Sequence, residues 1–582
     1  MARSLVSRRS FLTRSAAAGA TIATMPLLTT ELHAAQTLPM PQAANALEKN
    51  LDSYIAAYMP AMNAPGLTLG LTDATHTIRA AGYGFSNLET KAPVTTEMLF
   101  QIGSITKSFV ALVLLQLHDE GKLDLQKPVL EYLPWLPVRE DYGVITTHHL
   151  LTHTSGLPDN LNYLTSQPNE RLIQMSKPGE HFHYCNAGFS MLGELVAKLA
   201  GKPWRLAVTE RILAPLEMTS TSPVIDTRIR ARTATSYQAY YTDEIYARQG
   251  RLAASGNLVM DDTAGCIAST PADMAKYARM LANRGQGPKG RIVSEESFKL
   301  MSTPYIKAEE FSATASYGYG IAVDTLDGHT ILRHTGGMVS FASSIHVDID
   351  GGVAAFASIN AMQGYRPTAV TEYAVQLLRA QKESKPLPEP PPIVSVLEVS
   401  DPQSYAGRFT AADGRAMEFA AEGKQLALIA DGKKIPLQHA GGDAFVSTLE
   451  GHYAEYPIVF GRAETKEPAD AAKAPIVEVS YGSAWFTNSA YSGPKSFTAP
   501  SEYFAYVGHY VTESAWGGEL RVFVLKGKLF ADDTPLTPLG GALFRAGEES
   551  WSPETAEFFH IYEGRARLLH MAGMDFWRVE VD

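Results

Sequence analysis

The spacing of hydrophobic positions changes several times along the chain, and each change marks an element. From Ala46, ALEKNLDSYIAAYM places Leu47, Leu51, Tyr54, Ile55 and Tyr58 on one helical face. PGLTLGLT and HTIRAAGYG then alternate as two antiparallel strands separated by a turn around Asp73. The run Phe109–Leu117, FVALVLLQL, is apolar almost all round, which predicts a helix buried on every side. Further on, Leu192, Leu195, Val196 and Leu199 form the apolar face of another helix, and TPADMAKYARML reads as a Thr-Pro helix start followed by an amphipathic helix. YGYGIAV and THILRHTGGMVSFASSIHVDID predict strands, with a turn expected at His334-Thr335-Gly336-Gly337. Helix, strands and buried helix in this order predict an α/β domain with helices packed on a sheet.

Near residue 381 the texture changes. KPLPEPPP, Lys385 to Pro392, reads as a stiff linker, and short alternating runs with Gly and Asp-Gly turns follow it. This region repeats itself. Tyr405-x-Gly407-x-Phe409 matches Tyr506-x-Gly508-x-Tyr510, and Gly482-x-x-Trp485-Phe486 resembles Gly573-x-x-Phe576-Trp577. Pro436-Leu437, Gly441-Gly442 and Phe445 recur as Pro535-Leu536, Gly540-Gly541 and Phe544 at an offset of 99. Ordered matches at a nearly constant spacing predict duplication, here of two β-barrel-like domains. The polar stretch 461–475 reads as a surface loop.

At 582 residues the chain is too long for one core, which fits several domains. The N-terminus carries Arg8 and Arg9 before an apolar run, Ala16 to Leu28, and small residues at Leu32–Ala35, the layout of a twin-arginine export signal cleaved near Ala34 or Ala35. Its run is shorter than the ~18 residues a span needs. Losing four arginines and one glutamate would take the net charge from −11 to about −14, so nothing points to nucleic acid or anionic lipid. The expected location is periplasmic or secreted. Two cysteines, Cys185 and Cys266, cannot frame so large a chain; one bridge or two buried thiols both fit. His148-His149 and His181-x-His183 lack a third ligand at a metal-site spacing, so neither metal nor other cofactor is expected, although His181 and His183 would shape a rim beside Tyr184.

Candidate chemistry begins at Ser104-Ile105-Thr106-Lys107. An i,i+3 pair shares a helical face, placing Ser104 where unpaired N–H groups favour an anion and Lys107 one turn deeper among apolar neighbours. Desolvation favours a neutral amine, a base able to take the serine proton. A capping serine and a surface lysine is the plainer reading of the same residues. Tyr184-Cys185-Asn186 precedes a helix, so a phenol and an amide can point into one cleft, to shuttle a proton and to hold a carbonyl. Tyr184 as core and Asn186 as helix cap is the alternative. Two glycines at Gly336-Gly337 allow a close backbone approach that could complete an oxyanion hole. His153-Thr154-Ser155-Gly156 lacks the G-x-S-x-G elbow and is given a structural role.

Together, Ser104-x-x-Lys107, Tyr184-x-Asn186 and His334-Thr335-Gly336, with the phrases LFQIGSITKSF, LLTHTSGLP and PGEHFHYCNAG, make residues from about 45 to 380 resemble the penicillin-recognising serine hydrolases: class C β-lactamases, DD-carboxypeptidases, D-aminopeptidases and related esterases. The resemblance implies an α/β (α+β) catalytic domain, an antiparallel sheet flanked by helices with a helical insertion, followed by two lipocalin-like all-β barrels as in D-aminopeptidases. It implies an acylated Ser104, a proton-transfer pair of Lys107 and Tyr184, and substrate contacts from Asn186, His334, Thr335 and Gly336. The oxyanion hole would be the N–H groups of Ser104 and Gly337. His334 stands where class C β-lactamases carry lysine, which points away from fast β-lactam turnover.

The expected layout is a signal at 1–35, a hydrolase domain at 36–384, a linker at 385–395 and barrels at 396–497 and 498–582. The expected function is hydrolysis of an amide or ester through an acyl-enzyme, with D-amino acid-containing peptides or amides as the leading substrates and room for a homodimer. A carboxylesterase, or a silent protein that binds cell-wall peptides, is the alternative.

Overall fold

The computed structural model describes residues 39–160, 172–240, 250–361, 366–449, 453–465 and 472–580. The export signal lies outside the described residues, as does most of the middle of the 461–475 loop. Among the described residues the chain divides into two compact units, one of residues 39–238 and 254–392 and the other of 393–580 with the short stretches 239–240 and 250–253. Among the described residues no helix is long and apolar enough to cross a membrane.

The first unit is built on a nine-stranded sheet. Its strands are β1 (Gly66–Asp73), β2 (Thr77–Asn87), β3 (Ala92–Pro93), β4 (Ile306–Lys307), β5 (Ser316–Tyr317), β6 (Ala322–Leu326), β7 (His329–Met338), β8 (Phe341–Asp348) and β9 (Val353–Ile359). The order is β4-β5-β6-β7-β8-β9-β1-β2-β3, antiparallel throughout. The expected turn at Asp73 forms because its carboxylate accepts from the N–H groups of Thr75 and His76 at 2.7 and 2.8 Å. Leu47, Leu51, Tyr54, Ile55 and Tyr58 are all buried on α1 (Ala46–Ala61).

All eight residues of β8 are buried, so both faces of the sheet are covered. Alternate side chains serve opposite layers. Ser344 and His346 bond Thr371 of the C-terminal helix Thr368–Lys382, whereas the Ser343 hydroxyl donates to the Gln101 carbonyl on the side of the apolar helix. That helix, α2, runs Thr106–Asp119 and buries every residue from Thr106 to Leu115. A residue set this apolar has no solvent face to offer, so the helix is covered on all sides.

One sequence expectation is corrected here. His334 to Gly337 do not turn the chain; they continue β7, paired His334↔Ile345 through Met338↔Phe341, and the turn falls on Val339-Ser340. The glycines answer a steric demand instead, described below.

The second unit holds two closed eight-stranded barrels, from Gly407 to Thr487 and from Gly508 to Val579. Closure comes from Thr410↔Thr487 in one and His509↔Val579 in the other. The duplication is visible in a shared irregularity. Both barrels carry a β-bulge at matching places, between His439 and Gly441 and between Pro538 and Gly540, with Gly442 and Gly541 at φ +55° and +58°. Phenylalanines 409, 419, 445 and 460 fill the first barrel, and Tyr506 stacks on Phe558 in the second at 4.4 Å.

Candidate active site

Segments remote in sequence meet at the start of α2. Gly103–Ile105 forms one tight 3-10 turn leading directly into the helix, so Ser104 lies on the turn and Lys107 one residue inside the helix. Gly103 sits at φ +55°, and a Cβ there would lie 2.5 Å from the Gly337 nitrogen. A Cβ on Gly336 would lie 1.8 Å from the Ile102 carbonyl oxygen. Both glycines are therefore required for β7 to press, backbone against backbone, on the turn that bears Ser104. This approach brings the main-chain nitrogen of Gly337 beside Ser104.

The Lys107 side chain is wholly buried, and its Nζ faces three oxygens. The Ala264 carbonyl lies at 2.6 Å, Asn186 Oδ1 at 2.7 Å and Ser104 Oγ at 3.2 Å. The first two can only accept, so they take two N–H bonds. The third direction points at Ser104, whose Oγ accepts from Nζ. The Tyr184 ring faces the same nitrogen, 4.9 Å from its centroid.

Asn186 is the first residue of a helix, Asn186–Ala200, whose N-cap is Cys185: its Sγ accepts from the Gly188 N–H at 3.3 Å. Asn186 is held from behind by Asp159, whose carboxylate accepts from the Asn186 backbone N–H at 2.6 Å and from Nδ2 at 2.9 Å. Because Nδ2 must face a carboxylate, Oδ1 must face Lys107. Both cysteines are free and buried, which settles the choice left open by the sequence.

His153 supports Tyr184. Its backbone is left-handed at φ +57°, its carbonyl accepts from the His183 N–H at 2.8 Å, and its Nδ1 accepts from the Cys185 N–H at 3.0 Å. Its ring stacks on Tyr184 with centroids 4.2 Å apart. Asp262 lies behind Lys107: burial raises its carboxyl pKa, opposed by the Ala264 N–H, the Ser190 hydroxyl and the Lys107 charge.

His334, expected as a direct substrate contact, lies among Tyr317, Phe311 and Tyr184. The residue has no exposed surface; its Nε2 lies 2.9 Å from the Tyr317 hydroxyl and its Nδ1 2.6 Å from the Thr335 carbonyl. Thr335 and Gly336 are themselves buried. Ser104, Lys107, Tyr184, Asn186 and the Gly336-Gly337 strand are thus brought together, while the His334 ring sits behind them. Asp159, Asp262, Ala264, His153 and Tyr317 were not singled out as site residues from sequence. Only His153 and Asp159 had a signal, being part of or adjacent to LLTHTSGLP. Among the described residues no group of three His, Cys, Asp or Glu could hold a metal ion.

The β-lactamase family model matches residues 51–380. Penicillin-binding protein 4 of Amycolatopsis lactamdurans is 30% identical over 284 residues, which are 46% of this chain and 73% of that protein. Protein flp of Staphylococcus aureus is 28% identical over 193 residues, 31% of this chain and 39% of flp. Among solved structures, the octameric penicillin-binding protein homologue from Pyrococcus abyssi superposes with a TM-score of 0.52 at 24% identity, covering 76% of this chain and 98% of that one.

Proposed function

This chain belongs to the β-lactamase family, and from that premise we propose that it is an exported serine hydrolase that forms an acyl-enzyme on Ser104. The family is one of serine hydrolases of the β-lactamase and penicillin-binding type. The observation that carries the reading is the Lys107 amine, with two acceptors holding its N–H bonds and Ser104 Oγ in the remaining direction at 3.2 Å.

The steps follow from this geometry. Lys107 takes the Ser104 proton as Oγ attacks a carbonyl carbon. The tetrahedral oxyanion meets the N–H groups of Ser104 and Gly337. Tyr184, facing Lys107, returns a proton to the leaving amine or alkoxide, and water then releases the acyl group by the reverse sequence. Asn186 has one N–H left, beyond the one given to Asp159, to offer a substrate carbonyl. No metal or other cofactor takes part.

The preferred substrates are amides or short peptides containing D-amino acids. Likeness to a penicillin-binding protein supports a carbonyl resembling that of a penicillin, and His334 in place of a fixed cation argues for slow β-lactam release. The twin arginines, Arg8 and Arg9, support export. The test is a panel of D- and L-alanine p-nitroanilides, p-nitrophenyl esters and benzylpenicillin with wild type and Ser104→Ala. D-anilide turnover that vanishes in Ser104→Ala is expected. Turnover of esters alone would make the protein a carboxylesterase, and no turnover of any substrate would leave a silent binding protein.

A further inference from the structure

Beyond the catalytic residues, the first unit contains a cavity of about 260 Å³. It is smaller than the ~300–1,000 Å³ typical of sites for whole drug-sized ligands, so it suits a single side-chain-sized group. Its place in the fold ties it to the reaction. Gln101 lies on its wall three residues before Ser104, and Val339, Ser340 and Phe341, the turn following β7, lie on another. Ser340 is three residues past Gly337, in the turn that ends β7. The turn is held there by Phe341, whose ring packs edge-on against Phe100 at 5.5 Å.

The wall is polar. Gln101, Thr235, Ser255 and Asn257 line it with Ser340. Ser340 is 2% exposed, yet its hydroxyl has no hydrogen-bond partner among the described residues. An unpaired buried hydroxyl costs free energy that a ligand group can recover. Among the described residues the one carboxylate on the wall, Asp226, is ion-paired with Arg228, which holds its carboxyl below the usual range. Arg230 lies exposed at the rim.

We propose that this cavity is the subsite for the acyl portion of the substrate and that it selects an uncharged polar end group, a primary amide or hydroxyl, through Ser340 and Gln101. The proposal rests on the acyl-enzyme reading of Ser104. An acyl chain leaving the oxyanion site along β7 delivers its far end to Ser340. A site whose buried polar groups need a partner rejects the apolar isostere, because the isostere leaves them unpaired.

The experiment compares kcat/KM for two p-nitrophenyl esters of equal length, those of adipic acid monoamide and of 6-methylheptanoic acid, whose ends are an amide and its isopropyl isostere. The ratio of the two is the readout, so any loss common to both cancels. Wild type is expected to prefer the amide by about tenfold, and Ser340→Ala to bring the ratio to about two or below, with Ser340→Thr restoring part of it. A wild-type ratio near one, or a ratio unchanged in Ser340→Ala, overturns the subsite while leaving Ser104 chemistry intact. Preference for the free adipic half-ester, lost in Arg230→Gln, also overturns it by assigning the cavity to an anion. Wild type that leaves p-nitrophenyl acetate intact overturns the hydrolase reading and the subsite with it.

Discussion

Replacing Gly336 with alanine tests whether the contact between β7 and the nucleophile turn sets the reaction geometry. The added Cβ would lie 1.8 Å from the Ile102 carbonyl oxygen, against a floor of 3.0 Å for real Cβ contacts. The backbones must therefore part by at least the difference, 1.2 Å. Neither partner is a flexible side chain, so Gly337 and Ser104 must move relative to each other. A displacement of ~1 Å in a positioned site costs on the order of 100-fold in rate. The same overpacking costs about 1–3 kcal/mol of stability. Gly121→Ala supplies the comparison: nothing lies within 4 Å of its Cβ and only its φ of +71° is penalised, at about 1 kcal/mol. The assays are kcat/KM for p-nitrophenyl acetate and urea denaturation monitored for midpoint at constant slope. Gly336→Ala should lose activity well beyond its stability cost, and Gly121→Ala stability alone. A Gly336→Ala enzyme within about twofold of wild-type kcat/KM would refute the steric argument.

Other outcomes follow from the same contacts. Asp159→Ala removes the acceptor of two Asn186 N–H bonds, of about 1.5–3 kcal/mol each to a charged group; kcat should fall at least tenfold with little change in KM, and an unchanged kcat would count against Asp159 as the residue that orients Asn186. His149 is pushed down to about 4 by burial and by neighbouring His148. Because its folded value lies below the unfolded one, its contribution to stability is complete above about pH 6.5 and is lost as pH falls towards 4. Its Nδ1 lies 3.2 Å from both Thr146 N and Oγ1 in a capping box, a place glutamine also fills. His149→Gln should keep the cap and flatten melting temperature against pH between 4 and 6.5; an unchanged acid slope would remove His149 as its source.

What the sequence carried and what it hid divide along physical lines. Ser104 and Lys107 were legible because helical spacing brings an i,i+3 pair to one face whatever surrounds it. The barrels were legible because the repeated Gly-Gly fixes the same bulge twice, at Gly441 and Gly540. Gly336-Gly337 were read both as a turn and as a place of close backbone approach; the turn falls on Val339-Ser340 instead, and the partner of the approach, the Ile102 carbonyl, is supplied only by the fold. His334 was legible from its place in a motif, whereas its burial is decided by Tyr317, 17 residues away, and by Phe311, which packs edge-on against it. Asp159 and Asp262 acquire their roles from contacts with Asn186, 27 residues away, and Ser190, 72 residues away, and no local pattern encodes them.

The central claim is that Lys107 makes Ser104 a nucleophile, and whole-protein mass spectrometry after exposure to a fluorophosphonate tests it most directly. Wild type should gain the mass of one adduct, mapped to Ser104 after digestion, and Ser104→Ala none. Lys107→Met should label far more slowly than wild type. Labelling of Lys107→Met at the wild-type rate, or an adduct that persists in Ser104→Ala, would contradict the account.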